Sequence, residues 1–584
     1  MAPHTGKQSL QERPNAEEKE SLLPTKRAPN PSCPQYRSVI VSVCSFILVT
    51  EFCERLAYYG LSGSLPIFFH RNLGLSTVLA TELNSTFTSL SYLTRCSAPV
   101  SSLPLFMLGL FGGVGFGAGG IKPSVVVLGA DQFDVDIPAQ RAEKDSFFNW
   151  FYWAINVGAT FSYGVLTNLA VNGLPPYISA DFGFFASFAI PSAAFVLAAL
   201  VFYAGKGRYR RVPPKGGALS KFFSVLIQAG SRSRRGKLVL SGGLAFAPGI
   251  VLTTVSYFIQ DDFTHMAVAL VGAGAVAYGT FVLIFSGAAT DWLRLATRTN
   301  GGSFSFQDVA QVVRLAPYLG IIIIFWAVYG QMNSNFVVQG CQMDLRVQGS
   351  EGASGKPVLL SSAMLNVVDS GVILIFIPVF DRLLYPLSTK MGIYPTLLRK
   401  IGAGLVFALL SMLAAGWVEQ IRKSSSMIEG ISSNCSAAGE SLPMSSISVW
   451  WQTPQYVLVG VAEILTSISA YDLFYSEVPE SMRSVCQALN LLTTTLGFIV
   501  AGAINSIFSF WVTSDLNDGH LEYIYFLMAF LVLVLLVAFI FVSQSFEYHV
   551  PPPGVDSVSG FSPALSRAAR ELRKKLQFQR NGSK

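Results

Sequence analysis

Residues 51–60 read EFCERLAYYG. Two carboxylates, an arginine and two tyrosines stand inside a segment that should cross a membrane. Charges are costly in hydrocarbon, so Glu51, Glu54 and Arg55 need partners or a water-filled cavity. On a helix they lie within about one turn of each other and can pair. The bland reading is a neutral packing motif that ties helices together. The preferred reading is an ion or substrate pathway, which such clusters usually mark.

The rest of the chain fits that setting. Hydrophobic residues make up 51% and charged residues only 13%, with a mean hydropathy of +0.48. A soluble domain carries roughly twice that charged fraction, so the chain reads as a polytopic membrane protein. Its net charge of +7 sits in loops and carries orientation rather than nucleic-acid affinity. Seven cysteines show no metal-ligand spacing, and no metal or other cofactor is expected. Cys341 and Cys435 both fall in loops on the non-cytosolic side; a bridge between them is one reading, and a pair of free thiols is the preferred one. No nucleophile–base arrangement points to an enzyme.

About 20 apolar residues span a bilayer. Candidate spans fall near 38–61, 78–100, 103–128, 147–172, 182–204, 237–257, 264–286, 314–338, 358–379, 396–417, 449–475, 485–510 and 522–543. The polar, proline-rich segment 1–37 has no signal-peptide core, so the first span should act as its own signal. Segments 205–237 and 381–400 are rich in Lys and Arg and should be cytosolic. Segments 339–357 and 418–448 then lie opposite. The sequons Asn84-Ser85-Thr86 and Asn434-Cys435-Ser436 agree with that orientation. The glycine-dense run GLFGGVGFGAGG at 109–120 permits close helix packing.

Five ordered motifs carry a resemblance. They are EFCERLAYYG, GGIKPSVVVLGADQF at 119–133, FFNWFYWAINVGA at 147–159, FWAVYGQ at 325–331 and PQYVLVGVAEILTSISAYDLFYSEVPESMRS at 454–484. Together they resemble the proton-coupled oligopeptide transporter family of the major facilitator superfamily, from about residue 38 to 545. FFNWFYW resembles its peptide/histidine branch. The implied fold is an all-α membrane protein of two helix bundles. Its parts would be a cytosolic tail (1–37), an N-terminal bundle (38–204), a cytosolic linker with an inserted hydrophobic hairpin (205–310), a C-terminal bundle (311–545) and a second tail (546–584).

The implied activity is proton-driven symport of di- and tripeptides, or of histidine, by alternating access among membrane lipids. By the same resemblance Arg55 meets the peptide carboxylate, where a planar guanidinium suits two oxygens, and Glu463 meets the amine. Tyr58, Tyr59, Tyr152 and Asn156 supply polar contacts and Trp326 an apolar wall. Lys122, an ammonium in a glycine-rich apolar helix, needs a carboxylate partner on physical grounds; the resemblance makes it Glu51 or Glu54, whose protonation would release Lys122. Arg314 and Asp381 match a cytosolic gate pair, against the alternative of two ordinary helix-end charges.

The chain departs from the family in several places. SYLT at 91–94 is followed by RCSAPVSSLP and then by the Lys122 helix, so the third helix and its loop are missing. The ten residues from Arg95 to Pro104 would have to cross the bilayer, which an unpaired backbone in lipid forbids. A histidine of some animal members is replaced by Ser85. An outer charged pair would fall at Ser62 and Gly330, both uncharged. Near the start, Glu18, Leu22 and Leu23 resemble a dileucine sorting signal that clathrin adaptors read, which points to a lysosomal or endosomal membrane, with the plasma membrane as the alternative. A different reading of the whole is a transport-incompetent endolysosomal scaffold of the same fold.

Overall fold

A computed structural model of the chain describes residues 38–77, 80, 81, 83, 84, 109, 125, 128–134, 137–210, 218–256, 259, 261–286, 290–295, 306–351, 357–436, 441–544, 546 and 548. The stretch 85–124 lies outside them apart from Gly109. Lys122, the sorting residues Glu18, Leu22 and Leu23, and the missing-helix reading therefore fall outside the described residues.

Ten helices among the described residues are long and apolar enough to cross a membrane, which makes this a multi-pass membrane protein. Helix α1 (Ser45–Arg71) has the length as well, at 27 residues, but carries the three charges of the opening motif. After it come α2 (Pro138–Phe161), α3 (Thr167–Asn172) and α4 (Gly183–Ala204). A π-helical turn, Ser162–Leu166, joins α2 to α3 into one span. Helices α1, α2 and α4 pack together. Gly158 sets the closeness of the α1/α2 crossing: a Cβ there would stand 2.8 Å from the Phe52 carbonyl oxygen and 3.1 Å from Arg55 Cβ. That approach seats Arg55 against α2.

Between the bundles stand α5 (Ala218–Gly230), α6 (Arg234–Ser256) and α7 (Asp262–Ser286). The last two are the expected hydrophobic hairpin. Gly242, Gly249, Gly272 and Gly279 let their backbones interlock, each having helix or side-chain atoms where a Cβ would stand. Leu244, Val251, Leu270, Phe281 and Phe285 are exposed, as expected of faces turned to lipid. Helix α7 also packs on two helices of the C-terminal bundle, α9 (Ala316–Gly330) and α16 (Arg483–Ile507). Helix α5 is an addition to the expected plan.

The C-terminal bundle begins with α8 (Phe306–Arg314), α9 and α10 (Asn335–Cys341), one span broken twice. It continues through α11 (Asn366–Val379), α12 (Tyr385–Lys390), α13 (Leu397–Ser424), α14 (Thr453–Glu463), α15 (Ser469–Ser476), α16 and α17 (Leu521–Ser543). Two small antiparallel hairpins, β1 (Arg346–Glu351) with β2 (Pro357–Leu359) and β3 (Met427–Ser432) with β4 (Pro443–Ser445), occupy the segments expected as loops on the non-cytosolic side.

One expectation is overturned there. Cys341 and Cys435 form a disulfide rather than two free thiols. Cys341, the last residue of α10, meets Cys435 of the segment after β3 in a buried cluster, with a Cα–Cα distance of 5.8 Å, inside the bridging range. Beside it the Asn434 side-chain amide donates to the Leu360 carbonyl at 3.0 Å.

These hairpins join the bundles. Arg71 at the end of α1 donates to the carbonyls of Val171 (3.0 Å) and Asn434 (3.3 Å). Asn172 donates to the Leu359 carbonyl at 2.6 Å and Tyr163 to Asn333 at 3.2 Å. Asn168 accepts from the Ser361 amide at 2.8 Å. The ends of the two bundles that carry the β-hairpins are thus held together by polar contacts.

Candidate functional site

The opening motif is buried, with Glu51, Glu54 and Arg55 at 1%, 3% and 7% exposure. Arg55 Nε lies 2.7 Å from Glu51 and 3.2 Å from Glu54. Helical spacing of four brings Glu51 to the guanidinium, as the sequence spacing predicts; Glu54, the adjacent residue, reaches it as well. A lone buried charge would cost several kcal/mol, so the cluster folds as a unit with its cation between two anions.

From the opposite bundle comes Glu463, the last residue of α14. The next five residues, Ile464–Ile468, form a π-helical turn, a local widening that often accompanies functional positions. Tyr152 of α2 donates to Glu463 at 3.4 Å, and Tyr329 of α9 stands close beside it. Two bundles and three helices therefore meet at one carboxylate. Tyr59 and Tyr471 stand within electrostatic reach of both Arg55 and Glu463. Two phenols thus lie between the opposite charges of the two bundles.

The remaining predicted residues divide. Tyr59, one of these two phenols, lies beside Tyr163, ring centroids 5.5 Å apart. Tyr58 packs with Leu65, Phe69, Ala80 and Leu83, and its ring lies 5.4 Å from that of Tyr59. Asn156 is buried, and its amide donates back to the Tyr152 carbonyl at 2.9 Å; it fixes its own helix. Trp326 stacks edge-on against Phe325 and Tyr329 and packs on Gly497 of α16, so its wall role is compatible with its place.

Arg314 meets Glu477 at 3.2 Å and lies over the Phe546 ring at 5.0 Å. Asp381 stands in the π-helical turn Phe380–Leu384, its side chain outside the described residues. Arg314, Asp381 and Glu477 all belong to the C-terminal bundle. Sequence reading did not single out Glu477, although it stands in the quoted motif SEVPES. It also passed over Tyr329, inside FWAVYGQ, and Asp369, an ionisable residue within a predicted span, the signal that marks functional positions in membranes.

Two bundles of apolar helices that carry opposite charges at buried positions fit a carrier of the major facilitator type. A sequence profile described as PTR2, POT family, matches residues 74–518, and the chain belongs to the POT family. It is 30% identical to Protein NRT1/PTR FAMILY 8.3 of Arabidopsis thaliana, over 86% of this chain and 91% of that protein. Its fold matches the in meso crystal structure of the POT family transporter PepTSo with a TM-score of 0.66 at 21% identity, covering 88% of this chain and 99% of the other. The auto-inhibited POT family peptide transporter matches with a TM-score of 0.63 at 22% identity, covering 89% and 99%.

Proposed function

We propose that this chain is a proton-coupled symporter of di- and tripeptides, with histidine as a further candidate substrate, working by alternating access. The observation that carries the reading is the buried opposite charge on each bundle. Arg55 on one bundle and Glu463 on the other have the charges a short zwitterion presents at its two ends. A peptide spanning them would be bound by both bundles only when the chamber between them is closed, the differential contact that alternating access requires. Its carboxylate would meet the guanidinium fork of Arg55 and its amine the Glu463 carboxylate. Glu51 and Glu54 would carry the coupled proton, with Lys122 as their second cation. The polar contacts at the hairpin ends, expected on the non-cytosolic side, support an inward-opening state as the one described.

Arg55→Ala and Glu463→Ala should each abolish proton-driven dipeptide uptake while protein abundance in the membrane stays normal. Normal uptake in both variants would sink the assignment.

A second reading is favoured by the ten residues Arg95–Pro104 that separate SYLT from the Lys122 helix. It is a transport-incompetent scaffold of the same fold. Reconstituted protein decides between the two: dipeptide uptake by the chain as it stands supports the symporter. Folded protein without uptake, gaining it when a helix is restored between Thr94 and Leu103, supports the scaffold. The sorting motif supports an endolysosomal membrane; Leu22 and Leu23 replaced together by alanine should move the protein to the plasma membrane, and an unchanged distribution would remove that support.

A further inference from the structure

A second carboxylate faces Glu463 and is unused by the reading above. Asp369 of α11 is 3% exposed, and its Oδ1 has no hydrogen-bond partner. Oε2 of Glu463 is likewise buried without one. Their proximity is set by Gly460 of α14: a Cβ at that position would stand 2.9 Å from Asp369 Oδ1. Gly460 and Glu463 are three residues apart on one helix, so they share a face, about 4.5 Å apart along the axis. The two carboxyl groups are within electrostatic reach of each other.

The surroundings supply donors but little positive charge. Tyr152 and Tyr329 are in reach of both carboxyls, and Tyr163 and Tyr456 of Asp369. Tyr59 and Tyr471 approach Glu463 from the side of Arg55, the described cation of the chamber, which already pairs with Glu51 and Glu54. Phenols can hydrogen-bond a carboxylate but cannot neutralise it. Two neighbouring carboxylates in such a place do not both ionise cheaply; they titrate as a pair that keeps one proton.

We infer that Asp369 and Glu463 form a proton-sharing carboxyl pair, a second proton-carrying site in the C-terminal bundle. In the loaded chamber the proton resides on Asp369 as –COOH, while Glu463 stays –COO⁻ and meets the substrate cation. Only one O–H bond is made on loading and broken on release, and the proton leaves to water on the side where the chamber opens. The proton travels with the substrate, in the direction symport requires. The existence of the pair is independent of the peptide reading; only its coupling to flux rests on that reading.

Infrared difference spectroscopy of the purified, ligand-free protein tests the pair directly. The parent should show a protonated-carboxyl band that is lost in Asp369→Asn and retained in Glu51→Gln. Gly460→Ala keeps both acids but pushes a methyl against Asp369, so it should shift the band; this variant decides the matter if Asp369→Asn folds poorly. A band unchanged in Asp369→Asn, or in Gly460→Ala where that variant decides, overturns the inference. Coupling is read separately, as the proton-to-dipeptide flux ratio, which should fall by about one in Asp369→Asn. Absence of dipeptide flux in the parent would count against the proposed function and leave the infrared result standing by itself.

Discussion

Two charged clusters stand on membrane helices at nearly the same spacing, and they are finished differently. On α13, Arg422 holds Glu419 through two nitrogens, at 3.0 and 2.8 Å. Asn517 accepts from Arg422 at 3.1 Å, and Gln339 donates to Glu419 at 2.9 Å. Both ionic side chains are completely buried. On α1, Arg55 is shared between Glu51 and Glu54, and Glu54 Oε2, 3.2 Å from it, makes no well-directed hydrogen bond among the described residues. The contrast separates scaffold from machinery. A network whose every member is satisfied has one arrangement. A cluster with an oxygen left without a well-directed bond among the described residues is less firmly fixed, and a change of partner there disturbs less.

The largest effect should come from breaking the finished cluster. Arg422→Ala leaves Glu419 buried with its cation gone, a loss of about 3–5 kcal/mol by comparison with other buried pairs. Abundance and thermal stability in detergent should collapse together. A variant that melts like the parent would erase the distinction between the clusters.

The unfinished cluster should respond in the opposite way. Glu51→Gln or Glu54→Gln mimics a protonated acid and leaves Arg55 one carboxylate partner. Membrane abundance and peptide counterflow should persist, while accumulation driven by an acidic compartment is lost. If both variants accumulate peptide like the parent, the coupled proton is carried elsewhere.

The sequence made the α1 cluster legible because three charges interrupt an apolar run, and it placed the C-terminal spans and the inserted hairpin near their observed positions. The α13 cluster was hidden by the same rule. Hydropathy ends that span at residue 417, but the helix runs to Ser424, because partners on other helices accept its charges. Partners of that kind are invisible to a window that sees one segment at a time. The disulfide was only half legible: both cysteines fall on the same side by charge pattern, but they are 94 residues apart, and only the end of α10 and the fold of the segment after β3 bring them together. Tyr152 and Glu463 were legible through motifs, whereas their contact across the bundles was not.

The smallest effect should come from Arg314 and Glu477, a cluster between the two extremes. Arg314's side chain is 33% exposed and Glu477's is 5%. Water screens the pair, so its contribution is about 1 kcal/mol or less. Both residues sit in one bundle, at the ends of α8 and just beyond α15, so the contact fastens the bundle's own edge and does not bridge the two halves. Glu477→Gln should therefore lower the melting temperature only slightly. It should change dipeptide uptake less than either acid variant of α1, with the proton dependence of uptake kept. Loss of proton dependence in Glu477→Gln would move this pair from the scaffold side of the comparison to the working side, and would make the cytosolic edge of the C-terminal bundle a gate.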